Sequence, residues 1–394
     1  MSTPFVTHQP IVSKQGKVIA SRLTLHLAGL PNPSVAAANA LQETEEHWPM
    51  GQSSALFLHF DGAAPGPELF DWMLPENATL EIPAASLLGP NAAALIDAVK
   101  SNGAASCIDF DLQSAAALQC GLTFRFIGLD AATLTPQQMQ AIAVKTKSVA
   151  GIAVAFNVNS VPTFKAVTEA GLAGASGWFC KHVPAVGGKE LAPSQAHIIR
   201  VVNLVRNNAD VAQIEAALKQ DVALSYRLLR YINSAGFGLQ CEVQSFRHAV
   251  TILGYDKLNK WLSLLLVSSS KDPMAPAMMH TALARARLME IVGQGAVSKA
   301  EIDNLFIIGA FSLLDAMLGV PLEKALEPMH LPDAITEALI SKTGLYAPFY
   351  QMALAVEDGD AAALASSAGN LGLTAHQVNA AVLQSLAFAA NMNF

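Results

Sequence analysis

Up to about residue 180, short runs of β-branched and aromatic residues alternate with alanine-rich stretches whose apolar positions recur every three or four residues. The runs at 5–11, 18–27, 55–60, 79–82, 105–109, 123–129 and 151–158 have the length and composition of strands. Helical patterns lie between several of them, at 91–102, 136–149 and 160–170. Strand–helix alternation of this kind predicts parallel βα units, an α/β fold. Gly103 and Gly171 stand where helices end before the next strand.

The texture then changes. Residues 184–193 hold Pro184, Gly187, Gly188 and Pro193 and read as a linker. After them the helical period dominates. Ser194 is placed to cap a helix running to about Arg206. At 221–232, Val222, Tyr226, Leu229 and Ile232 make one apolar face. Further helices are predicted at 244–253, 256–270, 276–292, 301–318, 332–342, 346–357, 360–369 and 374–391. The expected domains are 1–183 and 194–394, joined by the linker.

Composition narrows the class. Of 394 residues, 52% are hydrophobic and only 14% charged, against about 25% charged in an ordinary soluble chain. Such an apolar chain is not a disordered one. Its strongest apolar run, 305–318, is too short for a membrane span and contains Asp315. The first residues lack a signal-peptide pattern, so the expected location is the cytoplasm. Cys107, Cys120, Cys180 and Cys241 are far apart and form no C-x-x-C pair. The net charge of −7 is spread evenly. A basic excess between Arg200 and Lys260 reads as a solvated helical face, and no nucleic-acid partner is expected.

The chemistry-bearing residues are sparse. No two of the ten histidines are three or four apart, and none precedes an Asp. Phosphate-cradle, dinucleotide and nucleophile-elbow motifs are absent. One acidic group stands out. Asp109 and Asp111 end one strand and Asp130 ends the next. Carboxyl ends of parallel strands are where active sites form, and carboxylates there can hold a divalent cation or merely cap the following turn.

The second half resembles the HDOD domain, an all-helical relative of the HD phosphohydrolases that lacks their catalytic residues. The resemblance rests on 221–238 (DVALSYRLLRYINSAGFG), 245–254 (SFRHAVTILG) and Lys260-Trp261-Leu262, and continues at 311–318 and 331–339. The whole chain resembles two-domain EAL–HDOD regulators, in which a TIM-like (βα) barrel related to cyclic di-GMP phosphodiesterases precedes the helical domain. Gln9-Pro10-Ile11 and Gly177-Trp178-Phe179 match the barrel's opening and closing text.

Active members of that family hold two metals through carboxylates and one Asn, with a Lys near the attacking water. Here the Glu of the Glu-x-Leu motif falls on Arg22, and the Asn falls on His59 or Phe60. The Asp-Asp pair becomes Asp109-Phe110, the Lys becomes Gly128, and two later acids become Phe156 and Asn159. The Gln before the closing Gly is Ser176. Glu81, Asp109 and Asp130 remain, and with Arg22 they form the expected ligand-binding remnant. The resemblance therefore implies a degenerate barrel, without catalytic residues, metal or cofactor, in a signalling protein that works through a protein partner. The alternative is a cyclic di-GMP sensor in which Arg22 contacts a phosphate or, if no ligand binds, pairs with an acid such as Asp109. Arg227, Arg230, Asn233 and Trp261 are the candidate interaction residues.

Overall fold

The computed structural model describes residues 3–50, 55–113, 115–147, 150–182, 193–220, 245–267, 272–329 and 331–392. Packing groups the chain into two compact units. The first joins Met1–His182 to Leu354–Ala387; the second is Val183–Ala353 with Phe388–Phe394. A single cut at the linker would have left the last helices with the second unit. The linker itself lies almost wholly outside the described residues.

The first unit is built on a closed eight-stranded barrel. Its strands are β1 (Val6–Ser13), β2 (Val18–His26), β3 (Ala55–Asp61), β4 (Ala78–Pro83), β5 (Ala105–Phe110), β6 (Phe124–Asp130), β7 (Ala150–Phe156) and β8 (Gly174–Ser176). Parallel pairing runs from β2 to β8. The expectation of uniform parallel units fails at the start, because β1 is antiparallel to β2. Four residues join them, with Ser13 N–H donating to Lys17 O across the turn. A parallel crossover needs about a dozen residues or more, so this connection can only make a hairpin. Strand β8 went unpredicted because Gly-Ala-Ser carries no β-branched or aromatic side chain.

Outer helices α1 (Pro33–Glu43), α2 (Ala92–Asn102), α3 (Pro136–Thr146) and α4 (Val161–Glu169) follow strands. The sequence pattern had passed over α1. Gly103 takes the left-handed conformation (φ 71) that ends α2. Strands buried under helices on one side and against the lumen on the other are apolar on both faces. Leu23, Leu56, Leu58, Ile108 and Ile127 are among the fully or nearly fully buried residues of these strands. Ile11, Ala20, Phe57, Cys107, Val154 and Phe156 form one buried cluster.

The second unit is helical. It holds α5 (Pro193–Arg206), α6 (Val211–Lys219), α7 (Phe246–Val267), α8 (Ala275–Val292), α9 (Lys299–Phe311), α10 (Leu314–Leu318), α11 (Leu322–Leu326) and α12 (Asp333–Ile340). The two helices predicted either side of Gly254 are joined as α7 across a kink there, at φ 74 and ψ 173. The helix predicted for 301–318 divides into α9 and α10. Ser312 Oγ donates to Gly309 O at 2.6 Å and accepts from Arg285 Nη1 at 2.5 Å. Such a bond back to the preceding turn competes with helix continuation. At Gly309 a Cβ would lie 2.3 Å from Ala286 Cα, so α8 and α9 approach closely only because the residue is glycine. The last helices are α13 (Ala347–Asp358), α14 (Ala361–Asn370) and α15 (Ala375–Asn391).

Candidate functional site at the barrel mouth

Side chains alternate across each strand, so Ala20, Arg22, Thr24 and His26 share one face of β2. Ala20 and Phe57 belong to the buried cluster, which makes that face the lumen. By the same alternation β3 presents His59 and Asp61, β4 Glu81, β5 Asp109 and β6 Gly128 and Asp130. Successive lumen positions thus change from apolar to charged towards the carboxyl ends of the strands.

Arg22 and Glu81 form the centre of this polar layer. Arg22 Nε donates to Glu81 Oε1 at 2.8 Å and Oε2 at 3.0 Å, and Nη2 donates to Oε2 at 2.7 Å. The guanidinium fork matches the carboxylate geometry. Only 7% of the Arg22 side chain and 1% of the Glu81 side chain are exposed. His59 Nδ1 stands 3.0 Å from Glu81 Oε2 and, with its proton there, donates to it. The Phe156 ring lies beneath the guanidinium, 4.1 Å from its carbon to the ring centroid. A Cβ at position 128 would come within 2.2 Å of that ring. Gly128 is therefore the space into which Phe156 fits.

Burial alone would raise the Glu81 carboxyl, but the Arg22 charge and the bonds from His59 and Arg22 outweigh it and hold it at about 2. Burial would lower Arg22, and Glu81 reverses that, leaving it raised. Asp109 moves upward, first through burial and then through the Glu81 charge, with Arg22 and His59 offsetting only part. Burial pushes the Cys107 thiol well up, which leaves no thiolate nucleophile.

The depressed Glu81 carboxyl gives an acid limb of predictable sign. The ion pair stabilises the fold above about pH 4.5, where Glu81 is ionised in both states. As pH falls from there towards about 2, on the order of 3 kcal/mol of that stability is lost. Urea midpoints at pH 7, 4.5 and 3 should therefore fall more steeply for the wild type than for Glu81→Gln. Parallel curves would contradict it.

The other sequence-identified acids lie nearby without joining the pair. Asp130 Oδ1 accepts from Ala132 N–H at 2.8 Å and from Asn157 Nδ2 at 3.0 Å. Asp111 lies beyond β5, where it accepts from Gln113 N–H at 2.8 Å. Both act as caps of the turns after their strands. The acid paired with Arg22 is Glu81, not Asp109; Glu81 comes from β4, which β3 separates from β2. The motif search missed a third group. His26 Nε2 lies 2.9 Å from Thr7 Oγ1, and Nδ1 lies 3.1 Å from Asp61 Oδ2. This has the connectivity of a hydroxyl–imidazole–carboxylate triad, yet Thr7 is only 2% exposed, so a substrate cannot reach its hydroxyl. The two-residue spacing of His59 and Asp61, one strand over from His26, was the signal available. Arg227, Arg230 and Asn233 lie outside the described residues, as does the side chain of Trp261.

The donor set does not fit a pair of metals. Two divalent ions need several free carboxylates. Here both Glu81 oxygens are bound to the Arg22 guanidinium, which is itself a cation. Among the described residues, no group of three or more His, Cys, Asp and Glu is placed to hold a metal ion.

Comparison with known proteins gives the following. Residues 191–312 match the HDOD domain. A Vibrio cholerae protein named cyclic di-GMP phosphodiesterase CdgJ is 30% identical over 190 residues, which cover 48% of this chain and 44% of that protein. The uncharacterized protein YuxH of Bacillus subtilis is 23% identical over 205 residues, covering 51% of this chain and 49% of the other. The chain thus spans about half the length of the curated relatives it matches. Among solved structures, the FimX EAL domain of Pseudomonas aeruginosa bound to c-di-GMP is similar at TM-score 0.35 and 16% identity, covering 45% of this chain and 89% of that one. The EAL domain of Mycobacterium smegmatis DcpA is similar at TM-score 0.34 and 14% identity, covering 44% and 90%. No described helix is long and apolar enough to cross a membrane.

Proposed function

We propose that this chain is a signalling protein of the EAL–HDOD kind in which the barrel no longer hydrolyses cyclic di-GMP and the molecule works through contacts with a protein partner. One observation carries the reading: Arg22, which the resemblance aligns with a metal-binding Glu, is locked in an ion pair with Glu81 that His59 closes and Phe156 backs. The CdgJ relative is named a phosphodiesterase, so sequence likeness alone would favour activity. The chemistry of the mouth argues the other way. A hydrolase of this kind needs metal-bound water; on the resemblance, metal-binding acids are replaced by a cation at Arg22 and a ring at Phe156, and the Lys near the water by Gly128.

The same geometry weighs against a ligand sensor. Arg22 was the residue suited to a phosphate, and its Nε and Nη2 are committed to Glu81. The lumen rim also carries Asp61, Asp109 and Asp130, which repel a dianion. Calorimetric titration of the full chain with cyclic di-GMP, with and without Mg²⁺, separates the two readings. The scaffold predicts flat heats. Saturable heats that disappear in Arg22→Ala would establish the sensor instead.

A further inference from the structure

Strand β8 has three residues, and its register against β1 covers only Ile11, Val12 and Ser13. Above them, among the described residues, no strand pairs with β1 at the seam. Residues on β1 alternate in the direction of their backbone groups. Phe5 O accepts from His26 N–H on the β2 side. Pro4 and Val6 accordingly face the seam. Pro10, also on that side, has no N–H to satisfy.

The seam is closed by the chain's other end. Asn379 on α15 accepts from Val6 N–H at 2.8 Å through Oδ1 and donates Nδ2 to Pro4 O at 2.8 Å. A side-chain amide offers one acceptor and two donors, so it reproduces what a neighbouring peptide unit would give. Asn379 is 1% exposed, so water cannot substitute for it. On the β8 side, Gly177 (φ 150) follows the strand, and Trp178 Nε1 donates to Glu357 O at 2.6 Å. Lys181 Nζ donates to Glu357 Oε2 at 2.6 Å and lies 4.0 Å over the Trp178 ring. The C-terminal helices therefore hold both sides of the open seam, all within the first unit.

We propose that Leu354–Ala387 is a strap that completes the barrel, with Asn379 acting as the missing strand. The HDOD-matching region lies in sequence between the barrel and its strap. The barrel is then not an autonomous N-terminal half, and displacing the strap opens it at β1 and β8. This holds whether or not the mouth binds a nucleotide.

Hydrogen exchange on the full chain tests it. In the wild type at low urea, amides of β1 from Val6 onwards and those of α15 should open together, with the same urea dependence. In Asn379→Ala, the Val6 amide and its β1 neighbours should exchange roughly tenfold faster or more, while β4 to β6 change little. Ser385→Ala serves as the control: Ser385 is buried on the same helix but, among the described residues, bonds only its own turn, at Val382 O. It should leave the seam amides protected. Wild-type exchange at Val6 in Asn379→Ala, or equal acceleration across all strands, would overturn the strap. Should Asn379→Ala not fold, the wild-type measurement decides: separate openings of β1 and α15 overturn it.

Discussion

Arg22→Ala should lower the stability of the barrel by about 3–5 kcal/mol at pH 7, the usual cost of removing one partner from a buried ion pair. The physical cause is the group left behind. Glu81 is ionised at this pH and 1% exposed. Without the guanidinium it keeps only His59 as a donor and must either stay charged in a poor solvent or take up a proton. Phe156 also loses the cation over its ring. Removing both charges is a different experiment. Arg22→Met with Glu81→Leu substitutes apolar groups of similar length, and such replacements are often neutral or stabilising. Urea unfolding at pH 7 of the two single variants and the double variant closes the cycle. A double variant less stable than Arg22→Ala would contradict this account of the lumen.

Gly177→Ala should be the second severe change, costing about 2–5 kcal/mol. Gly177 has φ 150, and a Cβ there would sit 1.9 Å from Val158 O. That oxygen is backbone and cannot rotate aside. The new methyl forces either Val158 or the turn after β8 to shift. Ser176 O accepts from Val158 N–H at 3.0 Å, so the shift pulls directly on β8. Thermal unfolding with a tryptophan signal, to which Trp178 contributes, reads the loss. An unchanged midpoint would mean that the tight approach is not needed.

Much of the barrel was legible because its strands advertise themselves by length and composition. Seven of eight appeared in the pattern, and the eighth is three small residues. The antiparallel start was readable in principle from the short link between 13 and 18. The barrel's own closure was not. Asn379 lies 373 residues from Val6, and no local period signals a contact of that range. At the site, alignment with the resembling family marked Arg22 as the aberrant position and Glu81 as a survivor. It could not say that the two residues bind each other, since the pairing spans β2 and β4 across β3. Gly128 looked like a plain loss. Its meaning depends on Phe156 at the end of the next strand, whose ring fills the space. Asp109, Asp111 and Asp130 drew notice as an acidic cluster, yet burial raises the Asp109 carboxyl while hydrogen bonds make the other two turn caps.

On the proposed reading, Arg22 places a cation where a phosphodiesterase of the resembling family would bind metals. Incubating the full chain with cyclic di-GMP and either Mg²⁺ or Mn²⁺, and resolving the products by chromatography, measures this directly. The account predicts no linear dinucleotide above the enzyme-free control. Metal-dependent turnover that is lost in Glu81→Gln would contradict it.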